Sequence, residues 1–292
     1  MKTHYLIIIF FVLTATLAAD ERPVLRIGGS DLFDEAFHQA LKRFAEEEGI
    51  ELDLNLKGSY AARTDLESDR LDLAMLAVPG HSEDLLYGYE SFAIAYQTVV
   101  FGIHPDNPLN ELTLPQIAAI FGAEELSSYS RWGEVGLRGE LGTRSISLYS
   151  IAPGRSIAVD LFRHEVLRSP RLRGTVTYVD STDGLLSSVQ ESRSTIALLP
   201  RVPPPESPVR ALALATERGE IAFGPTRENV HNGDYPIRLP VYVVFPDTST
   251  ELVRNLLIFL TREEVADAVE AGGLTPLPGS ARNRLRFDFE QL

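Results

Sequence analysis

The chain's 292 residues are 44% hydrophobic and 23% charged, a balance that excludes a disordered or fibrous polypeptide and leaves room for one large domain or two medium ones. A formal charge of −14, from 41 acidic against 27 basic residues, gives a long-range field that repels nucleic acid and anionic lipid and so argues against a nucleic-acid function. The absence of cysteine removes disulfides, thiolate metal sites, cysteine nucleophiles and an acylated-cysteine anchor. A small anionic ligand stays open, because a buried site is governed by the few donors and helix ends that line it.

The N-terminus comes first in chain order. Lys2 precedes the apolar run Tyr5 to Leu13, and the small residues Thr14 to Ala19 follow, which predicts a cleaved secretory signal over residues 1–19. The other reading of the same run is an uncleaved membrane anchor, although it is shorter than the ~20 apolar residues of a comfortable span. On the first reading the mature protein is soluble outside the cytoplasm, in the periplasm or secreted.

Val24 to Ile27 reads as a strand that runs into Gly28-Gly29-Ser30-Asp31, a glycine turn with helix-capping residues. Phe37, Leu41 and Phe44 then recur at helical spacing, and the helix is expected to end near Gly49. Ile50, Leu52, Leu54 and Leu56 alternate with polar residues as a half-buried strand does. Together these predict a β-α-β unit. Gly58-Ser59 repeats the turn-to-helix pattern, and Leu71 to Val78 is apolar enough for a buried third strand. Further strands are expected at Thr98 to Ile103, Ile146 to Tyr149, Thr175 to Val179, Thr195 to Leu199 and Pro240 to Phe245. The prolines from Val202 to Pro208 mark a loop, and helices are expected from Glu251 and over Glu263 to Ala271. Strands alternating with helices predict an α/β fold.

Several motifs carry a family resemblance. Leu112 to Ile117, Ile120-Phe121 and Arg131 to Gly136 resemble a conserved-order segment of phosphate-type solute-binding proteins of ABC transporters. Pro225 to Val230 with Tyr235-Pro236-Ile237 and Pro240-Val241-Tyr242, the earlier Gly58 to Ala62 and Asp72 to Met75, and the later Gly272 to Leu277 are similar to further stretches of that family, in the same order. The resemblance spans roughly residues 25–278. It implies a two-lobed, type II periplasmic-binding-protein-like fold, each lobe a mixed sheet flanked by helices, with a ligand cleft between the lobes. The first lobe would hold residues 20–103 plus 238–292 and the second residues 104–237.

The resemblance also implies that hydroxyls and backbone N–H groups at helix N-termini hold an oxyanion. Three such starts transfer to this chain: Ser30 and Asp31, Ser59, and Gly154-Arg155-Ser156. For Ser30 the alternative is a capping role, for Ser59 likewise, and for Arg155 an ordinary surface position. Three departures stand beside them. The family's threonine falls at Leu32, its arginine at about Ile151, and its acidic segment at Leu76-Ala77-Val78, so both charged partners of a phosphate are replaced. Arg155 could supply a replacement guanidinium, with Arg63 a weaker second candidate.

The six histidines show no metal-ligand spacing, and no nucleophile elbow is present, so neither a metal, a cofactor nor a catalytic group is expected. Asp180 to Gly184 looks like a capped helix start, and Trp132 like a core residue. The expected function is that of an extracytoplasmic solute-binding protein of an ABC-type uptake system. It would bind phosphate or another small oxyanion as a monomer and present it to a membrane permease, with no enzymatic activity. The alternative is a periplasmic sensing or structural protein that kept the fold without transport. An exported hydrolase comes third, for want of a nucleophile and base motif.

Overall fold

A computed structural model describes residues 22–79, 83–248 and 250–291; the leader expected over residues 1–19 lies outside the described residues. The chain opens with β1 (Val24–Gly29), α1 (Glu35–Glu48), β2 (Glu51–Asn55), α2 (Ser59–Glu67), β3 (Leu73–Ala77) and β4 (Glu90–Thr98). Next come β5 (Val100–Ile103), β6 (Glu111–Thr113), α3 (Leu114–Phe121), α4 (Gly139–Thr143), β7 (Ser147–Ser150) and α5 (Ile157–Glu165). These lead to β8 (Val176–Tyr178), α6 (Thr182–Glu191), β9 (Thr195–Leu199), β10 (Arg210–Ala211), β11 (Ala213–Ala215) and α7 (Arg227–Asn232). The last segment is β12 (Arg238–Phe245), α8 (Glu251–Leu260), α9 (Glu263–Ala271), β13 (Thr275–Pro276) and α10 (Gly279–Glu290).

These elements form two lobes, each built on its own sheet. The first sheet has the order β13-β4-β12-β3-β1-β2, with β1 parallel to both β2 and β3. Its strand β3 is buried on both faces because its sequence is apolar at every position: Leu73 and Met75 join the core under α1, α8 and α9, while Ala74 and Leu76 join a smaller core with Ala62 and Leu66 of α2. The second sheet has the order β10-β5-β9-β7-β8, with β7 parallel to β8 and β9. Its core holds Phe101, Phe121 and Phe162, whose rings pack at 5.4 to 5.9 Å between centroids, and Trp132, which donates Nε1–H to the Ser194 carbonyl at 3.2 Å. The helix before this core begins with a capping box: Thr113 accepts from Gln116 N–H, and the Gln116 side chain accepts from Thr113 N–H.

The chain crosses between the sheets at two adjacent places. The apolar run Thr98 to Ile103 reads as one strand but is two: β4 pairs with β12 in the first sheet, and β5 pairs with β9 in the second. The first crossing therefore lies at Val99, because the residues after it take their partners from the other sheet. The return crossing precedes Arg238, which pairs opposite Thr98. Val99 donates its N–H to the Ile237 carbonyl at 3.3 Å and accepts from the Tyr235 hydroxyl at 2.7 Å. Tyr235 is wholly buried, and that burial pushes its ionisation far above the ordinary tyrosine value, so it remains a donor. Replacing Tyr235 with Phe should leave the Val99 carbonyl without this partner and lower stability by about 1 to 3 kcal/mol in urea denaturation; an unchanged midpoint would show that the bond contributes nothing to the hinge.

Candidate ligand cleft

The first half of the cleft forms where the parallel strands of the first lobe end. In open α/β sheets ligands bind at the carboxyl ends of the strands, where helices begin. Here β1 and β3 approach so closely at Gly29 that a Cβ would stand 2.4 Å from the Met75 carbonyl oxygen, which is why the position tolerates only glycine. The Ser30 N–H donates to that same Met75 oxygen at 2.7 Å, and the Gly58 N–H donates to the Gly29 carbonyl at 2.8 Å. Gly58 has φ of 137°, a conformation L side chains rarely adopt, and it launches α2 with Ser59 as its first residue. Ser59 Oγ accepts from the Ala77 N–H at 2.9 Å, which ties the start of α2 to the end of β3 and leaves the hydroxyl proton to donate. Ser30 and Ser59 are thus brought together around three strand ends, with the exposed Asp31 beside them.

Helix capping here differs from the sequence expectation. Helix α1 starts at Glu35, and its cap is Asp34, whose Oδ1 accepts from Ala36 and Phe37 N–H. Ser30 and Asp31 form the turn ahead of it, with the buried Ser30 Oγ accepting weakly from Leu32 N–H at 3.4 Å. The reason is geometric: the close approach of β1 to β3 carries the backbone through Ser30 before it can coil. For Ser59 the cap residue is Gly58, and Ser59 reaches across to β3 instead of capping its own helix.

The second half forms at the ends of β7 and β8. Gly154 takes φ of 76° in the loop before α5, and its N–H is directed at both carboxylate oxygens of Asp160, at 3.1 and 3.2 Å. Asp160 is in turn held by Arg163 at 2.7 Å. Arg155 donates Nη1–H to Asp180 Oδ1 at 2.6 Å, pairing the loop before α5 with the loop before α6. Ser156 is the N-terminal cap position of α5, yet its side chain makes no capping bond. Helix α6 starts as expected, with Ser181 capping Gly184 at 3.1 Å. Exposed apolar groups flank both halves: Tyr60 on α2, Ile157 on α5 and Tyr178 at the end of β8.

The three departures from the family pattern all sit in apolar surroundings. Leu32 and Ala77 are half-buried and pack against both large cores, and Ile151 is 8% exposed within the second. Arg63, a weaker candidate from sequence, is engaged in its own lobe. It donates to the Tyr87 carbonyl at 3.2 Å, pairs with Glu67 at 3.1 Å and lies 4.4 Å over the Tyr89 ring. Sequence reasoning missed Asp160, and it read Asp180 only as part of a capped helix start, because its pairing with Arg155 spans a helix and a strand. Among the described residues no cluster of three or more His, Asp or Glu side chains is arranged to hold a metal ion.

Comparison with known proteins bears on the fold and the family. The phosphate-binding protein PstS of Pseudomonas aeruginosa is 28% identical over 211 residues, which cover 68% of this chain and 64% of that protein, slightly less than two-thirds of its length. Protein SphX of Synechococcus elongatus is 25% identical over 199 residues, 66% of this chain and 57% of the relative. Among solved structures, a possible phosphate binding protein from Planctomyces limnophilus superposes with a TM-score of 0.67 at 17% identity, covering 92% of this chain and 98% of the other. PstS from Borrelia burgdorferi superposes with a TM-score of 0.69 at 17% identity, covering 88% and 99%. At that identity the two structures speak for the fold alone. With a profile of the PBP superfamily domain matching residues 14–264, the chain belongs to that family.

Proposed function

We propose that this protein binds phosphate or a similar small oxyanion between its lobes and delivers it to the permease of an ABC transporter. The observation that carries the reading is Ser59. Its oxygen accepts from the Ala77 N–H, which leaves the hydroxyl proton available to donate at the N-terminus of α2, where the helix dipole also favours negative charge. The similarity to PstS supports phosphate as the ligand. Binding would proceed by rotation of the lobes about the crossings at Val99 and Ile237, with no bond made or broken, so the protein is not an enzyme. It would act as a monomer outside the cytoplasm after removal of residues 1–19.

A second reading, a sensing or docking protein that keeps the fold without uptake, is favoured by one observation. Leu32, Ala77 and Ile151 replace polar groups with apolar ones, and the donors of the second lobe already have partners within the chain. Calorimetric titration separates the two, because only the first requires anion binding.

In that titration Ser59→Ala should weaken phosphate binding by roughly 0.5 to 3 kcal/mol, the range for one neutral to charge-assisted bond. Thermal unfolding run alongside reads the separate cost of leaving the Ala77 N–H without its acceptor; unaltered affinity in a folded variant would leave Ser59 only its structural bond. Sulfate should bind about as well as phosphate. Phosphate near neutral pH still carries a proton, and Leu76-Ala77-Val78 offers no carboxylate to accept it or to repel the fully ionised anion. A strong preference for phosphate would show that another acceptor serves.

Export can be checked directly. Mass spectrometry of the exported protein should find its N-terminus within a few residues of Asp20, and an intact Met1 on a membrane-bound product would reverse the localisation.

A further inference from the structure

The second lobe offers its cationic and N–H donors to its own carboxylates. Gly154 N–H is satisfied by Asp160, and the Arg155 guanidinium by Asp180. These two internal partners differ in how firmly they are held. Asp160 lies on α5, its side chain is 27% exposed, and Arg163 fixes it from the next turn of the same helix. Asp180 stands in the loop ahead of the Ser181 cap, with its side chain 89% exposed, and Arg155 is 60% exposed. Asp160 is therefore part of the framework, and the Arg155–Asp180 pair is the one that can open.

We propose, resting on the anion-binding reading of this cleft, that Asp180 sets the affinity of the site by competing with the ligand for Arg155. With Asp180 bound, the guanidinium is neutralised and its Nη1–H is taken by a carboxylate in the loop before α6. An incoming oxyanion takes over the guanidinium N–H groups, and the Asp180 carboxylate is released to water, where its exposure already places it. No proton need move, since arginine stays charged and the exchange replaces one oxyanion by another. An exposed ion pair of this kind is weak enough to be displaced by a ligand that also collects the donors of Ser59 and α2. The pair joins the loops that follow two adjacent parallel strands, β7 and β8. Asp180 is on this view a positioning residue that acts through Arg155 and never touches the ligand.

The test is a double-mutant cycle by calorimetric titration of phosphate and sulfate into the mature protein, Asp180→Asn, Arg155→Ala and the double variant. Removing the competitor should tighten both anions about two- to five-fold, the factor that corresponds to the strength of an exposed pair. In the Arg155→Ala background the same change should have no such effect, because Asp180 would have lost the group through which it acts. An Asp180→Asn protein with unaltered affinity, or an equal gain with and without Arg155, overturns the proposal while leaving the anion site standing. A loss confined to phosphate also overturns it, since Asp180 would then be accepting the ligand's proton. If neither wild type nor any variant binds either anion, the reading of the cleft itself fails, and the proposal with it.

Discussion

Everything the two lobes do depends on a pair of strands that change sheets side by side. Tyr235 donates a buried hydroxyl to the Val99 carbonyl, and Val99 donates to Ile237, so the outgoing and returning chains are bonded to each other at the point where both leave one sheet for the other. Neighbouring bonds tie the first lobe to the second at the same level. Gln97 donates to the Pro200 carbonyl at 2.6 Å, beside a hydroxyl bond of 3.2 Å between Thr98 and Thr275 within the first sheet. Tyr96 shares another with His231 Nδ1 at 3.0 Å, where burial and the Arg238 charge hold the imidazole below its usual pKa and so in its neutral form. Pinned there, the lobes keep a fixed axis while their far ends can approach, which is the mechanical requirement for closing a cleft on a ligand.

The candidate site is built from strand ends and helix starts. In each lobe the parallel strands, β1 with β3 and β7 with β8, end next to the first turn of a helix, and backbone N–H groups there have no partner inside the helix. The first lobe leaves a donor available at Ser59. The second has supplied its own carboxylates, Asp160 and Asp180, to the corresponding groups. A net charge of −14 does not oppose the proposed anion site, because local donors outweigh a distant field in a partly buried cleft.

How much of this could be read from the residues alone follows physical lines. The β-α-β start was legible because Phe37, Leu41 and Phe44 repeat at helical spacing while the next strand alternates, and both periods report burial on one face. The glycine turn at Gly58-Ser59 was legible because only glycine takes its backbone angle. The exact residue of the crossing, Val99, was hidden inside the mostly apolar run Thr98 to Ile103, since a change of partner sheet leaves no mark on side-chain polarity. Helix α10 went unseen for the opposite reason: its buried face includes Arg282, paired with Glu263, and so does not look apolar. The α1 cap was expected at Ser30 and Asp31 and is instead Asp34, because both positions carry capping residue types and the close approach of β1 to β3 decides between them. The Arg155–Asp180 pair joins residues separated by a helix and a strand, a contact that only the parallel pairing of β7 with β8 brings about.

The central claim is that this hinge closes the two lobes over a small oxyanion. Small-angle X-ray scattering of the mature protein, recorded with and without saturating phosphate at constant ionic strength, tests it most directly. Closure predicts a smaller radius of gyration with phosphate than without, reached at a phosphate concentration that matches calorimetric binding. Calorimetric binding of phosphate with an unchanged scattering curve would contradict closure, and no response in either measurement would contradict the anion-binding role altogether.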